Sequence, residues 1–437
     1  MGSQAGAAPG AQIRRPLVTD PATARRFRYA HAAHADWRTA VEQCLLQLDA
    51  QTRVDGFTTR ASLGFVYFTD LYAAVASEIL TLLKVRTGIA EWVGTVGLGI
   101  CATGVEYFDQ GAMAVMLADF PAEDFHVFAG DRPPPVLGER TAGGAIAAHA
   151  ALVHADPATP DTAGLVDDMS HKLESGWLFG GLTSSRAQAV QIANRTLGGD
   201  ANAAYGGGAS GVVFSSAVHL CSRVTQGCHP LVGHAVPAHA ITAYDGHLIS
   251  ELDGAPALDV LLEELGAADV QDAARVAHLA GGLFAGLTPP GVIGEVRFDD
   301  LLMRQVVAID PAEHSVGVAA LIEPGQQLTF CTRNPRAARA DLIRVCHELR
   351  AEVRREVPVL AGAAARTDGP LDAQDGVRGA LYVSCLGRSE QMFGARGAEL
   401  ALIREHLGEI PLVGFFANGE IARSQVHSYT GVLTLFL

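Results

Sequence analysis

The stretch Pro411-Leu-Val-Gly-Phe-Phe-Ala-Asn-Gly-Glu420 contains a short apolar run that ends in a glycine turn. An apolar run at residues 380–384 and a stretch with helical spacing at residues 397–407 precede it, and a second apolar run at residues 429–437 follows it. Short apolar runs bounded by glycine and polar residues are typical of strands, and the longer periodic stretch is typical of a helix. The C-terminal part is therefore predicted to fold as strand, helix, glycine-bearing strand and final strand.

The same order of segments occurs twice earlier in the chain, although the three sequences barely match. The first copy comprises residues 63–68, 71–85, 91–97 and 113–120. The second copy comprises residues 151–154, 165–174, 177–185 and 211–220. A strand–helix–strand alternation places the two strands in parallel, with the helix packed on the sheet. We predict an α/β fold in which repeated strand-helix-strand units form layered mixed sheets.

The segments outside these copies define the predicted domain organisation. Residues 256–285 and 341–357 have helical spacing, residues 291–332 are predicted to form β ribbons, and Asp36 is placed to begin a helix near the N-terminus. We predict a flexible start followed by two domains packed together, with the bounds 1–28, 29–255 and 256–437.

Composition limits the class of protein. Hydrophobic residues make up 49% of the 437 residues and charged residues 18%, which is sufficient for a large buried core. The net charge of -15 argues against nucleic acid or an anionic membrane as a partner, because both require a basic surface. No apolar window approaches the roughly 20 residues that cross a bilayer, and no secretory signal precedes the ordered sequence. We therefore expect a cytoplasmic protein.

The cysteines and histidines do not predict a metal site. The seven cysteines include no Cys-x-x-Cys pair, and free thiols are the expected state in a reducing compartment. The pairs His31/His34 and His234/His239 lack an acidic ligand at suitable spacing. We predict no metal and no required cofactor.

A dense set of polar residues flanks the apolar segments of the C-terminal copy. Arg388 could bind a carboxylate with both arms of its guanidinium, while Asn418 and Glu420 could receive an ammonium or amide group. This arrangement predicts an amino-acid-like ligand. The alternative is a structural Arg–Glu pair, with His427 as a buried core residue. The predicted ligand-binding residues in this set are Cys385, Arg388, Asn418, Glu420, His427 and Thr430.

Three glycine turns follow apolar strands, at residues 94–99, 180–185 and 414–419. Ligands of α/β proteins bind at the carboxyl ends of strands, and glycine lets the backbone approach them closely. We therefore add Gly180 and Gly181 to the predicted ligand-binding residues. The alternative is that these are packing features alone. None of the turns has a nucleotide-binding motif.

Two further chemistries are alternatives to simple binding. Cys385, His427 and Glu420 could act as nucleophile, base and orienting acid of a cysteine-dependent enzyme. Cys228 or His229, at the turn before Pro230, could be an axial ligand of haem iron. Binding without catalysis is the preferred prediction.

Several C-terminal motifs resemble those of one known family, the FIST proteins. The end of the chain, from Pro411 through Glu420 to the His427-Ser-Tyr-Thr430 segment, resembles the family's Gly-aromatic-aromatic-x-x-Gly-Glu turn and His-x-x-Thr strand. Cys385-Leu-Gly-Arg388 is similar to its Cys-x-Gly-Arg element. Further similar segments are His34-Ala-Asp-Trp37, Phe179-Gly-Gly-Leu182, Gln226-Gly-Cys-His-Pro230, Phe298-Asp-Asp-Leu-Leu-Met-Arg304 and Pro324-Gly-Gln-Gln-Leu-Thr-Phe330.

The resemblance covers the chain from about residue 29 to its end. It implies a FIST N domain joined to a FIST C domain, a combination regarded as a sensor of small ligands such as amino acids. Many relatives are fused to output modules, whereas this length leaves no room for one, so a signal is expected to pass to a separate partner protein. Some family members resemble haem-based nitric oxide sensors, which is the source of the haem alternative.

Overall fold

The computed structural model describes residues 25–129, 148–194, 204–231, 239–267, 282–291, 298–361 and 375–437, together with residues 296, 370 and 371. Within these residues, three six-stranded sheets and one eight-stranded sheet are present, with helices packed on them. The predicted α/β fold with layered mixed sheets is therefore confirmed. Most of the segment predicted to be flexible, residues 1–24, lies outside the described residues.

The described elements are numbered here in chain order. The strands are β1 Arg28–Ala33, β2 Leu63–Thr69, β3 Glu91–Gly97, β4 Gly99–Ala102, β5 Val105–Phe108, β6 Ala112–Ala118, β7 Phe125–Phe128, β8 Ala150–Ala155, β9 Trp177–Leu182, β10 Gln191–Asn194, β11 Ala204–Tyr205, β12 Ala209–Phe214, β13 Leu220–Gln226, β14 Cys228–Pro230, β15 His239–Asp245, β16 Leu248–Leu252, β17 Ala255–Pro256, β18 Leu283–Leu287, β19 Leu302–Asp310, β20 Ser315–Val318, β21 Gln327–Arg333, β22 Gly379–Cys385, β23 Leu412–Ala417, β24 Glu420–Ala422, β25 Gln425–His427 and β26 Thr430–Phe436. The helices are α1 Trp37–Gln51, α2 Ala76–Thr87, α3 Thr162–Ser170, α4 Ala257–Glu264, α5 Pro335–Ala361, α6 Ser389–Phe393 and α7 Ala398–Leu407, with short 3-10 helices at Asp70–Val75 and Phe298–Asp300.

The three six-stranded sheets share one layout. Their strand orders are β1-β6-β2-β3-β10-β11, β7-β12-β8-β9-β24-β25 and β13-β26-β22-β23-β4-β5. In each sheet the two central strands are parallel and separated in sequence by a helix, namely β2–β3, β8–β9 and β22–β23. These pairs are the three strand-helix-strand units predicted from the repeat, so that prediction is confirmed.

The last two strands of each six-stranded sheet come from another unit. The hairpin that follows β3 pairs with β23, the hairpin that follows β9 pairs with β3, and the hairpin that follows β23 pairs with β9. Each unit thus completes the sheet of another in a closed cycle. As a result, strands from before and after residue 255 share sheets.

The same position in all three units holds a glycine. These glycines are Gly94, Gly180 and Gly414. A Cβ atom at any of them would lie within 1.9 Å of a backbone carbonyl oxygen of the parallel neighbour strand. Only glycine permits this approach, so these three residues are required for strand packing.

The three units share one aromatic core. Phe214 of the second sheet lies edge-on to Phe436 of the third, with ring centroids 5.8 Å apart. Tyr67 of the first sheet stacks on Phe415 of the third at 5.4 Å, and its hydroxyl lies 3.2 Å from Nε2 of His154 in the second. All five side chains are fully buried. Because every unit contributes to this core, the units depend on one another for burial of apolar area.

A closed ring of strands is inserted into the third unit, between β13 and α5. Six antiparallel strands follow one another in the order β21-β15-β16-β20-β19-β18, and β18 pairs again with β21. Helix α4 buries Leu258 and Leu261 in the core of this ring. The helix predicted for residues 256–285 is wrong at its C-terminal end, because Leu283–Leu287 completes the ring as β18, and residues 268–281 lie outside the described residues.

Two helix starts follow from side-chain caps. Asp36 begins α1 as predicted, and its carboxylate accepts a hydrogen bond of 3.0 Å from the Thr39 N–H. Asn334 accepts a bond of 2.8 Å from the Ala337 N–H, and Pro335 occupies the first turn of α5, where a missing N–H costs nothing. Helix α5 therefore begins six residues before the predicted residue 341 and runs beside β13 and α7.

Candidate functional site

Arg388 lies in a buried ion pair. Its Nε donates to Oε1 of Glu399 at 2.8 Å, and neither side chain is exposed to solvent. Tyr382 donates to the same carboxylate at 2.6 Å and Ser384 at 3.0 Å. Burial lowers the pKa of Arg388, but the Glu399 charge outweighs it and raises the pKa overall. The predicted alternative of a structural Arg–Glu pair thus describes Arg388, with Glu399 rather than Glu420 as its partner.

Glu420 is fully buried and only half satisfied. Its Oε2 accepts 3.0 Å and 2.8 Å bonds from the Thr430 N–H and hydroxyl. Among the described residues, no N–H or O–H group donates to Oε1, although the weakly donating Cys385 thiol lies beside the carboxyl group. Burial raises the pKa of Glu420 to about 8, so the group holds a proton near neutral pH.

The repeat shows that Glu420 is unusual for its position. Glu420 pairs with the residue that follows the repeated glycine of the neighbouring unit. At the equivalent position the first unit has Ile100 and the second unit has Gln191. Gln191 is satisfied, because its amide bonds Gly208 O at 3.2 Å and the Ser210 hydroxyl at 2.7 Å. Only the third unit has an ionisable group there.

The remaining predicted residues are distributed around this carboxyl group. Cys385 is partly exposed at the end of β22, and burial with the Glu420 charge raises the pKa of its thiol to about 12. A thiol with that pKa is a poor nucleophile near neutral pH. Asn418 is exposed to solvent, and Gly181 lies directly opposite Glu420 in the adjacent strand. Glu420 thus contacts Thr430, whereas Arg388 bonds to Glu399 and Thr225, and Asn418 is exposed to solvent.

A groove of about 740 Å³ opens beside this region, between the third unit and the ring. It is bounded by α5, the β24–β25 hairpin and β13 on one side and by residues of the connection between β18 and β19 of the ring, Pro289, Val296 and Asp300, on the other. Its charged and aromatic lining residues are Trp177, Arg223, Asp300, Arg344, Glu348, Arg355, Arg423 and His427. The volume is typical of a site for a small molecule.

His427 connects the groove with the predicted site. It is the direct cross-strand neighbour of Glu420, it lines the groove, and only 6% of it is exposed. Among the described residues, its Nδ1 has no hydrogen-bond partner. Burial, followed by the charges of Arg304 and Arg423, lowers the pKa of His427 to about 4. The imidazole of His427 is therefore neutral at physiological pH, and its buried Nδ1 has no partner among the described residues.

The groove arginines were not predicted from the sequence. Arg344, Glu348, Ala351 and Arg355 recur along α5 at helical spacing and so share one face, which is a signal that the sequence contained. Arg223 comes from β13 and Arg423 from the hairpin turn. No sequence pattern relates these two to α5, because the tertiary fold alone brings the three segments together.

Cys228, one of the two residues in the haem alternative, does not fit the role of an axial ligand. Cys228 is buried with Phe284, Leu301 and Met303 in an apolar cluster between the ring and the third unit. Burial raises the pKa of its thiol to about 12, which disfavours the thiolate that binds iron. His229 is exposed.

Family models match most of this chain. The FIST N domain matches residues 62–255 and the FIST C domain matches residues 257–423. The chain belongs to the FIST family. FIST domains are associated with sensory signalling by small ligands. No helix among the described residues is long and apolar enough to cross a membrane.

Similar proteins occur in mycobacteria. The "Uncharacterized protein Rv0628c" of Mycobacterium tuberculosis is 30% identical over 374 residues, which cover 83% of this chain and 88% of that protein. The "Uncharacterized protein Mb0898c" of Mycobacterium bovis is 33% identical over 218 residues, which cover 49% of this chain and 50% of that protein. The first of these similarities covers more than two thirds of both chains.

Proposed function

We propose that this FIST protein is a cytoplasmic sensor that binds a small metabolite in the groove between the third unit and the ring. The amino-acid-like ligand predicted from the sequence is one such metabolite. In this proposal the bound state is signalled to a separate partner protein, and no chemistry is performed on the ligand.

The unused Nδ1 of His427 carries the proposal. Buried polar atoms in folded proteins are nearly always hydrogen-bonded, so an unpaired one in the wall of a groove requires an explanation. A ligand that bonds to Nδ1 would supply the missing partner. The neighbouring arginines support this interpretation, since guanidinium groups bind the carboxylate or phosphate of a metabolite in two-point contacts.

The location of the groove supports a sensory role. Its walls belong to two bodies, the three-sheet core and the inserted ring, so a ligand that contacts both changes the free energy of their association. Such differential contact is the physical requirement for transmitting binding to another surface.

Replacing His427 with Ala is expected to abolish ligand-induced stabilisation while the protein remains folded. The measurement is a thermal-shift screen with amino acids and central metabolites on protein that has been unfolded, washed and refolded, because a ligand that binds the native state raises Tm by mass action. The matched control is His171→Ala, whose side chain is 74% exposed just after α3 and does not line the groove. If no compound stabilises the refolded wild type, or if His427→Ala keeps the full shift, the proposal fails.

A further inference from the structure

The groove lining contains more arginines than carboxylates, although Glu352 and Asp341, outside the lining, pair with Arg223 and Arg344. Four arginines line it against two carboxylates, Asp300 and Glu348, whereas the whole chain carries a net charge of -15. Arg304 donates to the Val426 carbonyl at 3.3 Å, and it forms no ion pair with a carboxylate among the described residues. A concave site whose lining has an excess of one sign of charge concentrates ligands of the opposite sign.

The groove also has an excess of hydrogen-bond donors. A guanidinium group has five N–H donors and no acceptor, and indole has one donor. Among the described residues, Nε1 of Trp177 is buried without a partner. Among the residues that the structure describes, Arg355 donates one hydrogen bond, to Ala351 O of its own helix at 3.3 Å. A ligand that bonds to these donors must therefore carry hydrogen-bond acceptors.

Carboxylates hold two of the groove arginines in place. Asp341 and Glu348 hold Arg344 at 2.6 Å and 2.7 Å. Asp300 holds Arg423 at 2.7 Å, and the guanidinium lies 5.1 Å from the centroid of the Trp177 indole. Arginines fixed in this way lose little conformational entropy when they bind an oxyanion.

These ion pairs also discriminate between ligand classes. An ammonium group needs a carboxylate, but Asp300 is already paired with Arg423, and Glu348 is paired with Arg344 and lies 3.6 Å from Arg223. A ligand with a positive group would compete with these arginines. A ligand with several anionic oxygens would instead bond to guanidinium N–H groups such as those of Arg355, which forms no ion pair with a carboxylate among the described residues.

We infer that the groove binds an acceptor-rich anion with at least two negative charges, either a phosphorylated metabolite or a polycarboxylate. This inference rests on the proposed function, because it names the ligand class of the same groove. It narrows the predicted class of amino-acid-like ligands to those that the groove would bind mainly through their anionic groups.

The test is calorimetric titration of the full chain with four probes: inorganic pyrophosphate, citrate, alanine and glycerol. The groove variant is the double substitution Arg355→Gln and Arg423→Gln. The matched control is Arg60→Gln and Arg86→Gln, which changes the net charge equally at two exposed arginines outside the groove. Circular dichroism verifies that each variant is folded. If the double variant does not fold, the single variant Arg355→Gln, at an exposed position of α5, replaces it.

Pyrophosphate or citrate is expected to bind wild type and control alike, and the groove variant is expected to bind about 10- to 100-fold more weakly, since each lost charge-assisted bond has a large effect. Whichever probe binds more tightly identifies the phosphate or the carboxylate source. If the groove variant and the control bind the anions equally well, the inference is overturned. If alanine or glycerol binds in a His427-dependent manner and the anions do not bind, the inference is also overturned, but the proposed function remains intact. If neither the four probes nor any screened metabolite binds, the inference and the proposed function are both overturned.

Discussion

Replacing Glu399 with Gln is expected to lower the free energy of unfolding by about 3–5 kcal/mol, because it leaves the buried guanidinium of Arg388 without its counter-charge. Arg388 and Glu399 are both fully buried, and the Glu399 carboxylate also accepts bonds from Tyr382 and Ser384. Urea unfolding of the two proteins, with the midpoint and slope both fitted, measures the difference.

Two companion variants define the origin of this loss. Adding Arg388→Met to Glu399→Gln removes the unpaired charge, so the double variant is expected to be more stable than Glu399→Gln alone. Breaking the ion pair of Glu42 and Arg86, whose side chains are each 45% exposed, by Glu42→Gln is expected to cost less than about 1 kcal/mol. A loss of similar size in both pairs would contradict the role of burial.

Replacing Glu420 with Gln is expected to stabilise the protein by about 2–3 kcal/mol at pH 7. The folded pKa of Glu420 is about 8, raised by burial from an ordinary value of 4.5. A group whose pKa is raised in the folded state contributes its stability below pH 4.5 and loses it as the pH rises toward 8, because the unfolded chain can ionise while the folded chain cannot. The amide has no such penalty, and Gln191 occupies the equivalent position in the second unit.

The pH dependence provides the decisive measurement. The stability difference between Glu420→Gln and wild type is expected to be small at about pH 4.5 and to grow until about pH 8. Glu405→Gln, at an exposed position of α7, provides the control for loss of a carboxylate. A gain that is constant over this range, or a loss at pH 7, would show that the Glu420 carboxyl group is not held in its neutral form.

Local sequence determined the three units of this protein. Apolar runs such as those of β2, β22 and β23 have no polar alternation, so their strands must be covered on both faces, and the helical stretches between them cover one of these faces. The repeat of this order predicted one parallel pair in every unit, which the sheet topology confirms. The cap of α1 at Asp36 was equally local, because a short polar side chain bonds backbone N–H groups three residues away.

Tertiary structure alone decided how the units are joined and where the groove lies. Hairpin exchange depends on pairing between strands hundreds of residues apart, for which a single sequence contains no local signal. Arg388 could have paired with either of two glutamates, and only the packing of α7 on β22 places Glu399 within 2.8 Å. The prediction of clustered polar residues around Glu420 and His427 came from the positions of strand ends, whereas the groove arginines come from a strand, a helix and a hairpin turn that only folding brings together.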